Sequence, residues 1–275
     1  MSHYVLYLSI LLAWVGQGFA FDEKYNPDVS TWKLVRRTEL KSEDGYNSQF
    51  LQANHSDHDW SVKLVSGKVI ARLRGEAIEE KVTLPPFETL VKIQGSEARA
   101  YRAIKVEDGW IVAYNLGEFG AAVYWYSVDG KKRQKLSGHQ INHFILEGGR
   151  IFAVEGLAHL GGSRGSMIEI QMKEGEWSVN EFLILPGEPS AIARVAEGEF
   201  IIVTSNALLR VNLKKEKTFL ISNAEWGILY PNSIVVNDSL VYVGMRQFVV
   251  RYDLRSFAPR YDLLVPDLKW LNVTK

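Results

Sequence analysis

Three residues at comparable places in the chain could together hold an anion. Arg246 follows a short apolar run whose counterparts end in Asn115, Glu155 and Thr204, while His143, Ser190 and Asn232 stand just before equivalent runs. A guanidinium offers a planar fork of donors that suits a carboxylate or phosphate, and His143 and Glu155 would complete a small polar site beside it. The same residues could instead form a ring of structural hydrogen bonds that satisfies loop backbone groups. Trp226 joins the candidates because residues 226–230, Trp-Gly-Ile-Leu-Tyr, read as an aromatic loop of the kind that anchors a protein or a sugar. Packing between repeats is the other reading of that tryptophan. The candidate binding residues are therefore Arg246, His143, Glu155, Asn232 and Trp226.

Other chemistries find less support. Zero cysteine removes disulfides, thiolate catalysis and cysteine metal sites. Residues 54–59, Asn-His-Ser-Asp-His-Asp, are the densest set of possible metal ligands, with His55 and His58 beside two aspartates. Their context is a polar loop ahead of the Trp60 strand, so a solvated loop is the better reading. Residues 161–166, Gly-Gly-Ser-Arg-Gly-Ser, lack the Lys-Ser/Thr ending of a phosphate loop and read as a hairpin or lid. His159 has no evident acid–base partner in sequence, and Gly-x-Ser-x-Gly is absent. No catalytic residue, metal site or cofactor is assigned.

What must position the candidates is a repeat of 40 to 48 residues, with units starting near 62, 104, 144, 192 and 234. Each unit has an apolar strand, a turn and a second apolar strand. The turns are Ser66-Gly67, Glu107-Asp108-Gly109, Glu147-Gly148-Gly149, Glu197-Gly198 and Asn237-Asp238. These residue types tolerate the positive φ of tight hairpins. A third strand follows near Ala122, Met167, Leu208 and Phe248, and a fourth near Lys81, Phe182, Lys217 and Tyr261. Four short antiparallel strands per repeat make the blade of a β-propeller, which buries both faces only by stacking around an axis. The chain is thus expected to be all-β, a propeller of five or six four-stranded blades, rather than a sandwich or barrel. Residues from Trp32 and from Asn47, both strand-like, would join the C-terminal end near Trp270 to lock the ring.

Two units, Pro189-Ser-Ala-Ile leading to Phe200-Ile-Ile-Val and Pro231-Asn-Ser-Ile leading to Leu240-Val-Tyr-Val, resemble the repeat of NHL and SMP-30/gluconolactonase-like propellers. The resemblance is clearest over residues 186–254. The unit at Gly148, with Trp177 downstream, also looks slightly like a kelch repeat. In the SMP-30 group a divalent cation sits at the mouth of the central tunnel and serves lactone or ester hydrolysis. Asn232 matches the asparagine ligand of that group, but Gly244-Met245-Arg246 stands where an acid is required. An arginine repels a cation, so the resemblance implies the fold and not the metal or the hydrolase activity.

Residues 5–15, VLYLSILLAWV, followed by Gly18-Phe19-Ala20, read as a signal-peptide core with cleavage after Ala20. The eleven-residue run is short of the roughly 20 that a membrane span needs. Residues 21–275 would be one propeller domain, expected to be a monomer, exported to a bacterial periplasm or secreted. Lys+Arg and Asp+Glu are both 32, which removes the electrostatic footprint of a nucleic-acid binder. The resulting expectation is a non-catalytic binding module for a protein or glycan ligand, with inhibitor or immunity-type proteins as one subclass. The alternative is a propeller hydrolase or lyase with its site at the axis.

Overall fold

The computed structural model describes residues 26–35, 46–75, 82–256, 258 and 260–272. The expected signal segment and its cleavage point lie outside these residues. Strand β1 (Lys33–Val35) and helix α1 (Tyr46–Ala53) precede two hairpins, β2 (Trp60–Val65) with β3 (Lys68–Leu73), and β4 (Leu90–Ile93) with β5 (Ser96–Arg99). Three four-stranded antiparallel sheets follow. The first holds β6 (Arg102–Val106), β7 (Gly109–Asn115), β8 (Ala121–Ser127) and β9 (Arg133–Ser137). The second holds β10 (Ile141–Glu147), β11 (Arg150–His159), β12 (Gly162–Lys173) and β13 (Glu176–Leu185), and the third β14 (Pro189–Ala196), β15 (Glu199–Thr204), β16 (Leu208–Asn212) and β17 (Lys217–Ile221). In the last sheet β18 (Ser233–Asn237), β19 (Leu240–Gly244), β20 (Val249–Asp253) and β21 (Asp262–Val265) are joined at the outer edge by β1.

The chain is an all-β propeller. The first strands β6, β10, β14, β18 and β2 lie beside one another in that order, which makes them the inner wall. Four blades carry four or more strands. Counting the two hairpins as one split blade gives five positions around the axis. Among the described residues no helix is long and apolar enough to cross a membrane.

The second strand of each complete blade is buried on both faces, so its sequence is a continuous apolar run instead of an alternating one. Alternate residues serve different neighbours. Ile151 and Ala153 of β11 pack against Ile111 and Ala113 of β7, while Phe152 and Val154 pack against Phe200 and Ile202 of β15. Ile201 and Val203 of β15 then meet Val241 and Val243 of β19. Ile111, Phe152, Ile202 and Tyr242 occupy equivalent strands, as the repeat requires.

Of the three terminal segments expected to lock the ring, the one from Trp32 does so as strand β1, and its partner is β21 rather than the segment at Trp270. Lys33, Leu34 and Val35 pair with Val265, Leu264 and Leu263. The same N-terminal segment also holds β3, through the Asp28–Ile70 bridge and the bond from Ala71 N–H to Pro27 O at 2.9 Å. Trp32 stands edge-on to Trp60 at 4.9 Å.

Three strand expectations are corrected, and the first is the C-terminal segment at Trp270, which lies in a 3-10 helix, Leu268–Asn272. The segment from Asn47 is helix α1, not strand. Its sequence YNSQFLQA holds no β-branched residue, and Phe50 and Ala53 bury one helical face three residues apart. The strand expected near Lys81 is absent from residues 82–84, which carry no regular structure. The later hairpin β4–β5 was not anticipated.

Candidate functional site

A cavity of about 440 Å³ opens at the axis and draws its lining from all five positions around the ring. Amide side chains tie the blades together at its wall. Asn142 donates from Nδ2 to Pro189 O at 2.9 Å and to Oε1 of Glu188 at 2.7 Å, linking β10 to β14. Asn232 donates to Trp60 O at 3.0 Å and to Oδ1 of Asp59 at 2.8 Å, linking the last blade to β2. Gln140 donates to Oδ1 of Asn115 at 2.8 Å and to Gly117 O at 3.3 Å, reaching back to the blade before it. Only an NH₂ group can face a backbone carbonyl, so these three contacts fix the orientation of each amide. Backbones also approach closely here. A Cβ on Gly244 would lie 2.5 Å from Trp60 O, which is why glycine ends β19.

His143 and Asn232 both line the cavity. Nε2 of His143 lies 3.2 Å from Ser190 O, so that nitrogen carries the proton. Burial, with the nearby Arg102 charge adding to it, pushes the imidazole pKa down to about 4, and the ring is neutral at pH 7. Glu188, which sequence reasoning missed, also lines the cavity. Its carboxylate accepts from Asn142 and from the Ser190 hydroxyl at 2.9 Å. Burial nonetheless holds its pKa above the ordinary range, because neither partner is a cation. Arg102, the first residue of β6, was missed as well. Its only sequence signal was its place beside a first strand, equivalent to that of His143.

The remaining candidates lie elsewhere. Glu155 is buried and accepts from Ser166 at 2.8 Å and Arg164 at 3.1 Å within its own hairpin. Arg246 is half-buried and outside the cavity lining. Its guanidinium donates to O and Oδ1 of Asn54 at 2.6 and 2.8 Å and covers the Tyr230 ring at 4.7 Å. Asn54 directly follows α1, so Arg246 satisfies a carbonyl at a helix end, where a cation also suits the dipole. The structure thus does not bring Arg246 together with His143 and Glu155. Trp226 is corrected from a contact residue to a core residue. It has no exposed surface, and its indole N–H donates to Thr204 O at 3.0 Å.

Among the described residues no group of three or more metal-ligating side chains occurs. In the 54–59 segment the His58 ring stacks on Trp60 at 5.9 Å, and Asp59 serves Asn232 and Arg74. Residues 162–166 form strand rather than a lid, since β11 and β12 continue as one long hairpin to a turn at Leu160-Gly161. His159, at its tip, pairs with Glu118 at 2.7 Å.

No protein-family model matches the chain, and no curated relative does. Solved structures with a partial likeness include a catalytically inactive virginiamycin B lyase from Staphylococcus aureus in complex with quinupristin, at 13% identity and a TM-score of 0.40. That match covers 64% of this chain and 58% of the lyase. The gluconolactonase XC5397 from Xanthomonas campestris matches at 12% identity and a TM-score of 0.33, covering 61% and 56%. The extracellular domain of the putative two-component system BT4673 from B. thetaiotaomicron matches at 13% and 0.37, covering 75% of this chain and 25% of that one. The chain spans little more than half the length of the virginiamycin B lyase structures. Neither lyase nor lactonase chemistry transfers at this level of likeness.

Proposed function

We propose that this chain is an exported, non-catalytic propeller that works by binding a ligand in its axial cavity. The observation that supports this most is how the cavity's titratable groups are used. The proton of His143 is committed to Ser190 O, and both oxygens of Glu188 are committed to Asn142 and Ser190. Both groups act as building elements between blades, and they leave a polar, shaped cavity whose size suits a small ligand. Export rests on the apolar run of residues 5–15. An inhibitor or immunity-type role in a periplasm fits that compartment, with the bound group presented by a larger partner.

Native mass spectrometry of the chain mixed with periplasmic extract tests the reading. A bound adduct is expected for the wild type. It should be lost in Ala158→Trp, which plugs the cavity mouth from an exposed position. No adduct, or an adduct unaffected by the plug, counts against the proposal.

A second reading, a hydrolase or lyase at the same axis, draws on Glu188. A carboxyl held above its ordinary range is the state that a general acid needs. Turnover of the captured ligand, abolished by Glu188→Gln, would favour that reading over the first.

A further inference from the structure

The hydrogen-bonding capacity of the cavity is lopsided. The nitrogens of Gln140, Asn142 and Asn232 are spent on contacts between blades, and among the described residues no donor meets their carbonyl oxygens. These three amides therefore offer acceptors. The strong donor left over is Arg102. Its Nε is buried with no hydrogen-bond partner, and among the described residues its guanidinium makes no ion pair, only a contact over the Tyr101 ring at 5.1 Å. The enclosed Nε is out of a ligand's reach, but the two terminal nitrogens make no hydrogen bond among the described residues and remain for an acceptor that enters the cavity.

The charges set the kind of acceptor. Arg74, the other lining cation, is shared with Asp59 at 3.4 Å. Glu188 adds a negative charge held only by neutral donors. Repulsion from Glu188 grows with the ligand's charge, and one negative charge already matches Arg102, so a singly charged group is favoured over a doubly charged one. Arg102's fork also matches a carboxylate, which can take two parallel bonds.

Resting on the ligand-binding reading above, we propose that the axial cavity takes a small ligand with one carboxylate beside O–H or N–H donors. Arg102 holds the carboxylate, and the carbonyl oxygens of Gln140, Asn142 and Asn232 accept from the donors. A peptide carboxy-terminus and an acidic sugar both present this chemistry. Tyr101 and Tyr230, half exposed at the cavity, offer flat surfaces to the rest of either ligand.

Calorimetric titration with two matched pairs separates the sources: N-acetyl-dialanine against its carboxy-terminal amide, and glucuronate against glucose, with inorganic phosphate as a fifth probe. At least one acid is expected to exceed its neutral partner by about tenfold or more. That preference should vanish in Arg102→Gln and persist in part in Arg102→Lys, both judged on protein whose thermal midpoint confirms folding. Equal binding of acid and neutral partner, tighter binding of phosphate, or an acid preference that survives Arg102→Gln would overturn the proposal while leaving a binding cavity. If no probe binds, the extract adduct decides: its retention by Arg102→Gln overturns the carboxylate assignment, and its loss supports it. Absence of any adduct, together with silence from every probe, removes the binding reading itself.

Discussion

The complete blades and the split blade solve the same packing problem differently. In the blade of β10–β13, neighbours on both sides cover the sheet, and the pairing register runs unbroken from β10 to β13 apart from local bulges. In the split position β2–β3 packs against the last blade through Trp60, Val62 and Val69, while β4–β5 packs against β6–β9 through Val91, Ile93 and Ala98. Each hairpin has one partner sheet, and among the described residues neither pairs with the other. A two-stranded sheet is marginal alone, so both hairpins depend on the blades beside them, and β2–β3 also on the N-terminal segment that reaches from β3 to β21. Each half of the split position is held by packing against its own neighbouring blade, and β2–β3 also by the N-terminal strap, so cooperativity should be lower at this position than in the complete blades.

The largest expected effect lies in a complete blade. Phe152 is fully buried, edge-on to Phe182 at 5.0 Å. Phe152→Ala should cost about 3–5 kcal/mol and lower the midpoint of the whole unfolding transition. A loss below about 1 kcal/mol in denaturant titration would mean that this blade is not part of the cooperative core.

The split position should respond locally instead. Ile93→Ala removes a buried side chain from β4–β5 and should cost about 2 kcal/mol, at the low end for such truncations because the hairpin has only one partner sheet. Amide exchange should quicken across residues 90–99 and stay unchanged in β10–β13. Uniform acceleration across the chain would erase the contrast between the two regions.

The axis, where all blades contribute, should show a pH dependence. His143 is protonated near the ordinary imidazole pKa when unfolded and only near pH 4 when folded. Between those values the unfolded chain binds more protons, so stability rises with pH there. The contribution is complete above about pH 6.5 and is lost as pH falls toward 4. It is on the order of 2 kcal/mol after allowance for partial exposure. Glu188 has the opposite sign, since its raised pKa weakens the fold as pH rises through it. His143→Gln should flatten the acid limb seen by thermal melts, and an unchanged limb would place the titration elsewhere.

The same contrast explains what was legible in the sequence. The complete blades announced themselves because their second strands are buried on both faces and their turns carry glycine or Asp, at Gly148-Gly149, Glu197-Gly198 and Asp238. Strands β4 and β5 share the glycine turn, at Gln94-Gly95, but not the continuous apolar run. They are four residues each, with Lys92, Glu97 and Arg99 between the apolar positions. Helix α1 was hidden because eight residues give barely two turns of periodicity. The axial position of His143 and Asn232 followed from counting repeats. Glu188 and Arg102 did not stand out, since a charged residue at a strand end has the same sequence signature whether it faces solvent or the axis. The reading of Arg246 ran into the opposite difficulty. Its partner Asn54 is 192 positions away and follows a helix that the sequence disguised as strand.

Arg246 therefore supplies the smallest and sharpest test, because it sits where the last blade meets the segment leading to the split one. Asp59 and Arg246 form an isolated bridge, and Gln247 N–H donates to His58 O at 2.6 Å, so the backbone on both sides of the residue is already held. Arg246→Ala removes two donors from Asn54 and the cover over Tyr230, but it leaves those backbone bonds intact. The expected loss is about 1 kcal/mol, read as a small drop in thermal midpoint. The affinity for a cavity ligand should change by less than about twofold, since no Arg246 atom lines the cavity. A tenfold loss of affinity with an unshifted midpoint would return Arg246 to the site, by way of the Tyr230 ring that it covers. A large drop in midpoint would instead show that α1 is as tightly coupled to the ring as the blades are to one another.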